Sequence, residues 1–271
     1  MANQSKYEMG VCVGDSQIPY HSPRAISTVL SFIRQNQDKI TDVFWNGDIL
    51  DFPALSLKFH RDPATKLRLK QDVRIFEGYR DKVSSLVPKA RQWFIYGNHE
   101  ERWVTYVEDK ADELAWLLDD RLSLEALLGL QDNKKWTIVK PYGEGVNWHG
   151  LFITHGTKVS AHSAYTARSE YLGNGTSGIS GHTHRGGTHY HTDRSGPHAW
   201  FEGFCLCNTN SGEGPLPPGH TDVGVRNQQQ GFLILEWVKD AHIKPWGEMW
   251  SVTPVAMVNQ CFVWDGKLYK P

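Results

Sequence analysis

Asp15, Asp48, Asn98, His99, His155, His182 and His184 are the residues of this 271-residue chain whose types and placement could do chemistry. They stand in short polar turns that follow apolar runs and carry a glycine: Gly14-Asp15, Gly47-Asp48, Gly97-Asn98-His99-Glu100, His155-Gly156 and Gly181-His182-Thr183-His184. Carboxylates, an amide oxygen and imidazoles suit Mn, Fe, Zn, Co or Ni, whereas calcium prefers oxygen ligands alone. Cysteine is missing from these turns, which argues against a structural zinc site. One such turn alone reads as an ordinary strand end, and one His-x-His as two alternating strand residues. Their succession, each after an apolar strand, is what points to metal chemistry.

The elements that must position these residues can be read from the same stretches. Residues 8–13, Val43-Phe44-Trp45, Trp93-Phe94-Ile95-Tyr96, Leu151-Phe152-Ile153-Thr154 and Ile179-Ser180-Gly181 are short apolar runs that read as buried strands. Ser22 is a cap and Pro23 a first helical residue, and Ile26, Val29, Leu30 and Ile33 continue at helical spacing to about Asn36. Asp62-Pro63 opens a long helix to about Leu86, residues 100–130 read as helical with Ser123 as a cap, and a further helix is expected near 164–172. Strands are expected at about 186–193, 199–207 and 231–238, so the second half should supply a second sheet. Residues 211–230, rich in Gly, Pro and polar side chains, read as a flexible surface loop, either a flap beside the site or a solvated insertion with no role, within a single domain spanning 1–271. Alternating strands and helices favour an α/β architecture whose ligands bind beyond the carboxyl ends of the strands.

Taken in order, the five motifs resemble the calcineurin-like metallophosphoesterase superfamily over roughly residues 8–212. The resemblance implies a four-layer αββα sandwich of two mixed β-sheets flanked by helices. It also implies that Asp48 bridges two divalent cations, with Asp15 and His184 on the first and Asn98, His155 and His182 on the second. His99 would face the substrate, protonating the leaving alkoxide or stabilising phosphoryl charge. Such a pair of ions clamps the oxygens of an in-line displacement and makes hydroxide from water near neutral pH. Mn²⁺ is the expected ion, with Fe, Zn, Ni, Co or Mg as alternatives.

The chain departs from that family at one position, reading Asp15-Ser16-Gln17 where the pattern is Asp-x-His. Gln17 is then a weaker, neutral ligand of the first cation, and His21 is a conceivable substitute. A degenerate scaffold without activity is the non-enzyme alternative that this departure motivates. Arg102 and Arg185 are the arginines nearest the ligand turns in sequence and are candidates for holding a phosphate oxygen. His189 and His191 alternate on a strand and match no ligand position.

Composition narrows the substrate. A formal net charge of −1 denies the chain the positive field that dominates non-specific binding to duplex DNA. Lys66, Lys70 and Arg74, with Lys58, Arg61 and Arg68 nearby, read as a solvated helix face diluted by Asp62 and Asp72. Because the two cations and the histidine that the resemblance implies suffice for diesters and no motif marks a dedicated monoester pocket, the expected partner is a small-molecule or nucleotide phosphodiester. A phosphomonoesterase and a DNA nuclease are the alternatives, and nucleic acid is not favoured. Cys12, Cys205, Cys207 and Cys261 read as reduced core residues, and no apolar stretch has the length of a signal peptide or membrane span, so the expected location is cytoplasmic.

Overall fold

The computed structural model describes residues 6–56, 68–131, 135–220, 227–240, 242 and 248–271. In chain order its elements are β1 (Lys6–Val13), α1 (Pro23–Gln35), β2 (Ile40–Asn46), α2 (Leu69–Leu86), β3 (Arg91–Ile95), α3 (Glu101–Lys110), α4 (Leu124–Leu127), β4 (Trp136–Val139), β5 (Gly145–Trp148), β6 (Leu151–Thr154), α5 (Tyr165–Asn174), β7 (Gly178–Ser180), β8 (Gly186–Asp193), β9 (Gly196–Gly203), β10 (Gly231–Lys239), β11 (Glu248–Ala256), β12 (Phe262–Trp264) and β13 (Lys267–Tyr269). Two mixed sheets result, one ordered β11-β10-β1-β2-β3-β4 and the other β5-β6-β7-β9-β8. In the first, β1 to β4 are parallel, and β10 and β11 extend the β1 edge antiparallel. In the second, β6, β7 and β9 are parallel, with β5 and β8 antiparallel at the edges.

Strand alternation sorts the core into layers. Met9, Val11, Val43, Trp45, Phe94, Phe232 and Ile234 pack with Phe32 and Ile33 of α1 and Phe76 and Val83 of α2. Their neighbours Cys12, Phe44, Ile95, Leu233 and Leu235 point the other way, into Trp148, Leu151, Ile153, Ile179 and Phe201 of the second sheet. On that sheet's far face, Trp200 packs under Ala167 and Tyr171 of α5. The protein is thus a mixed α/β sandwich with the two sheets face to face and helices outside.

Several local expectations are met in detail. The Ser22 hydroxyl accepts the Ala25 amide at 3.3 Å, and Pro23 opens α1. Helix α2 is described from Leu69, so its expected opening at Asp62-Pro63 lies outside the described residues, as do Lys58, Arg61 and Lys66. Others need correction. The stretch 100–130 is broken into α3, a 3₁₀ turn at Asp112–Leu117 and the single turn α4, capped by Ser123. No side chain of that 3₁₀ turn is buried, so no apolar stripe stabilises a longer helix there. Nor does the second half form only the second sheet. β4, β10 and β11 join the first, where β10, buried on both faces from Gly231 to Leu235, fits an interior position. Among the described residues no helix is long and apolar enough to cross a membrane.

Candidate metal centre

The parallel strands β1, β2, β3, β6 and β7 bring their carboxyl ends together, so turns far apart in sequence meet. Asp15, Gln17, Asp48, His182 and His184 all adopt left-handed backbone, with φ of 49, 54, 50, 70 and 57°. That region is sparsely populated by residues other than glycine and gathers where function over-determines the backbone. Two motif glycines permit the crowding. A Cβ on Gly181 would lie 2.5 Å from Asp15 Oδ2, and one on Gly97 would collide with the Asp48 carboxylate.

Asp15 and Asp48 are buried, and the imidazoles approach them. His184 Nε2 lies 3.1 Å from Asp15 Oδ1. His155 Nε2 lies 3.4 Å from Asp48 Oδ1, and its Nδ1 donates to the Asn46 carbonyl at 2.8 Å, which fixes the tautomer and leaves Nε2 as the donor atom. Asp48, His155 and His182 present atoms all within 4.8 Å of one another. Four side-chain atoms of the predicted ligands, Gln17 Oε1, Asn98 Oδ1, His155 Nε2 and His182 Nδ1, are buried without a hydrogen-bond partner. Buried polar atoms are rarely left so, and those of His155, His182 and Gln17 belong to residues that gather around the Asp48 carboxylate, an arrangement that fits a cation.

Burial alone would lower the pKa of His155, but the Asp48 and Asp15 carboxylates outweigh it and push it up to about 10. His184 behaves alike, its burial overcome chiefly by Asp15, and is pushed up to about 9. His182 goes the other way, since burial and the neighbouring His155 both disfavour its charge. Asp48 stays well below the usual carboxylate range because His99 and His155 overcome the cost of its burial.

His99 is set beside this cluster. Its amide donates to Asp48 Oδ1 at 2.9 Å, its Nδ1 is 3.2 Å from Asp51 Oδ2, and its Nε2 is 2.8 Å from Arg102 Nη2. An arginine is always a donor, so His99 Nε2 accepts here and the proton sits on Nδ1, which makes no hydrogen bond among the described residues although Asp51 Oδ2 lies 3.2 Å away. Arg102 also donates to the Asp51 carbonyl at 2.6 Å. A cavity of about 320 Å³ opens at this point, lined by Leu55, Asn98, Arg102, Thr105, Tyr106 and Tyr142 among others.

Gln17 reaches the same cluster, with Nε2 3.0 Å from Asp48 Oδ2 and 3.5 Å from His184 Nε2. His21 instead packs its ring edge-on against Tyr79, centroids 5.4 Å apart. Arg185 turns aside, donating to the Ser160 carbonyl at 2.6 Å. His189 and His191 lie on β8 over Tyr171, with His198 at the same ring.

Several participants escape a reading of the sequence. Asp51 is one, and its position three residues beyond Asp48 in the same turn was the available signal. His220, from the surface loop after β9, brings its ring centroid to 5.2 Å from that of His184. Cys207 Sγ lies 3.6 Å from His184 Nδ1, so this thiol is more than core filling. Three wholly or almost wholly buried glutamates hold the ligand turns. Glu100 accepts the amides of Asp48, Ile49, Leu50 and Gly97. Glu170 accepts those of Thr157 and Lys158, and Glu202 accepts the Thr183 hydroxyl and the Ala164 and Ala167 amides.

No protein-family model matches the chain. It is similar to the "Gene 54 protein" of Mycobacterium phage D29, 28% identical over 254 residues that cover 87% of this chain and 91% of the relative. It is similar also to the "Gene 54 protein" of Mycobacterium phage L5, 27% identical over 276 residues that cover 96% and 98%.

Proposed function

We propose that this protein is a binuclear metal-dependent phosphoric ester hydrolase with the calcineurin-like metallophosphoesterase fold, acting on a nucleotide or other small phosphodiester. The observation that carries the reading is the group of unpartnered buried donor atoms of Gln17, Asn98, His155 and His182 beside two buried carboxylates. Divalent cations would answer the same carboxylate field that raises the pKa of His155 and His184. Asp15, Gln17 and His184 would hold one ion, Asn98, His155 and His182 the other, and Asp48 both. Bound ions supply Lewis-acid charge to the phosphoryl oxygens and lower the pKa of the attacking water.

The chain's own residues do the rest. Arg102, 2.8 Å from His99 Nε2, is placed to turn its guanidinium toward a phosphoryl oxygen when substrate enters the cavity. His99 Nε2, released from that donor, would take a proton from solvent and deliver it to the leaving alkoxide, with the Asp51 carboxylate 3.2 Å from Nδ1 to offset the imidazolium charge. A near-neutral net charge favours a small substrate over duplex DNA.

The test is to count bound metal in purified protein and to assay a chromogenic diester beside its matching monoester with added Mn²⁺. Turnover of the diester is expected. Turnover of the monoester alone would make the protein a phosphomonoesterase, and no turnover with both ions bound would refute the hydrolase. Asp48→Asn should abolish turnover and lower metal at both positions, since one bridging carboxylate serves two cations.

A further inference from the structure

Cys205 and Cys207 lie in an extended segment just beyond β9, where alternation puts both thiols on one side and Leu206 on the other, in the helix-facing core. On the thiol side stands His184. The Nδ1 of His184 is 3.6 Å from Cys207 Sγ, and donor atoms of His184, Cys205 and Cys207 all lie within 4.8 Å of one another. All three residues are buried and both cysteines are free thiols. Two thiolates and an imidazole are a soft donor set, unlike the carboxylates and amides on the other side of the same ring.

We propose that Cys205, Cys207 and Nδ1 of His184 form a separate binding site for a thiophilic divalent cation such as Zn²⁺ or Cd²⁺. A tetrahedral zinc with bonds of about 2.0–2.3 Å needs its donors roughly 3.5–3.8 Å apart. Small rotations of two cysteine side chains supply that contraction. The outer partner is already in place, because His184 Nε2 sits 3.1 Å from Asp15 Oδ1 and donates its hydrogen there, as a metal-bound histidine does to a carboxylate. The Gln229 carbonyl, 3.4 Å from Cys205 Sγ, accepts the thiol hydrogen in the metal-free state. On binding, two Sγ–H bonds give way to two metal–sulfur bonds and two protons leave to solvent, so the site becomes neutral.

The ring cannot serve both sides at once while one nitrogen carries a proton. With Nδ1 on the soft ion, Nε2 holds hydrogen against Asp15. With Nε2 on a hard ion, Nδ1 holds hydrogen against Cys207. Soft-metal binding therefore withdraws His184 from the cluster around Asp15, and only the inhibition that follows from this rests on the function proposed above.

Reduced, metal-free full-length protein titrated with Cd²⁺ should develop the ultraviolet absorption of cadmium thiolates, saturating at one ion per chain. Cys205→Ser and Cys207→Ser should each lose that band, whereas Asp48→Asn should keep it. A band that persists in Cys207→Ser, or none in the wild type, overturns the proposal. Should the serine variants not fold, cadmium NMR of the wild-type protein decides, a mixed sulfur and nitrogen environment supporting the site and an oxygen environment refuting it. These signals need no turnover, so an inactive protein that shows them overturns the hydrolase and not the thiolate site. In an active protein, Zn²⁺ or Cd²⁺ should inhibit Mn²⁺-supported turnover, and Cys207→Ser should relieve it.

Discussion

In the proposed metal centre, the donor chemistry of the first position would depend at Gln17 on a single amide. Its nitrogen is aimed at Asp48 and His184 and its oxygen is buried without a partner, so a rotation of the amide about its last torsion exchanges the two. An oxygen turned to the cluster is a neutral, weak ligand, and the ion it helps to hold should be the first lost on dialysis. Gln17→His should raise first-site affinity for Mn²⁺, because imidazole binds transition ions more strongly. Calorimetric titration of both proteins checks this, and equal first-site affinity would mean that residue 17 does not touch the ion. His99 is a different case, since its contacts are to Asp51, Arg102 and the Asp48 carboxylate rather than to the orphaned donor group. His99→Ala should retain bound metal and lower turnover by roughly 10²–10⁴-fold, the usual contribution of a positioned acid. Metal loss in that variant would reassign His99 as a ligand.

Turns that bear the proposed ligands at the ends of β1, β2, β3, β6 and β7 were legible as polar turns because each pairs an apolar run with a glycine and a polar residue in local sequence. What fixes them was not. Glu100 accepts amides of the Asp48 turn from a distance of 50–52 residues in sequence, and Glu202 bonds Thr183 across 19. A single sequence gives no hint that a glutamate within a helix-like or strand-like stretch is buried and bound to backbone. The same limit explains β4, β10 and β11, whose residues read as strands but whose sheet is decided by distant partners. Arg185 is a similar case, close to His184 in sequence yet directed at Ser160. Burial and the charge of Asp48 push the Glu100 carboxyl up to about 7, while its backbone donors favour the anion. Glu100→Gln replaces one acceptor oxygen by an NH₂ facing buried N–H groups. It should cost about 2–5 kcal/mol of stability, since each orphaned buried donor costs about 1–3 kcal/mol. Denaturant unfolding of metal-free protein reads this directly, and an unchanged midpoint would show that the carboxylate does not hold these turns.

Across the whole molecule, the end of the sheets remote from the ligand turns is closed by a charged clamp. Glu8 of β1 binds Lys6, accepts from Arg91 Nη2 of β3 at 2.6 Å, and meets His149 Nε2 at 2.9 Å, in the turn joining β5 to β6 of the second sheet. Arg91 also donates to both oxygens of Asp42 of β2 at 2.7 Å, and the Trp93 indole donates to the same carboxylate at 2.9 Å. Three strands of one sheet and a hairpin of the other are thus tied at a point, while the opposite end keeps its donor atoms for ligands. Burial works against the Glu8 charge, but its bonds from Lys6, His149 and Arg91 outweigh this and bring the pKa from 4.5 down to about 2. A folded-state pKa below the unfolded value contributes stability that is fully present above about 4.5 and is lost as the pH falls toward 2. Glu8→Gln removes that contribution. The variant should be less stable than the wild type near neutral pH by about 1.5–3 kcal/mol, the range for a hydrogen bond to a charged group. The difference should shrink below pH 4.5 and vanish only below pH 2, once the wild-type carboxyl, half protonated near 2, is fully protonated. Urea unfolding of both metal-free proteins at a series of pH values measures it. A difference that persists unchanged to the acid limit would mean that Glu8 acts through packing and not through its charge, and that the two sheets are joined at this end by their apolar interface alone.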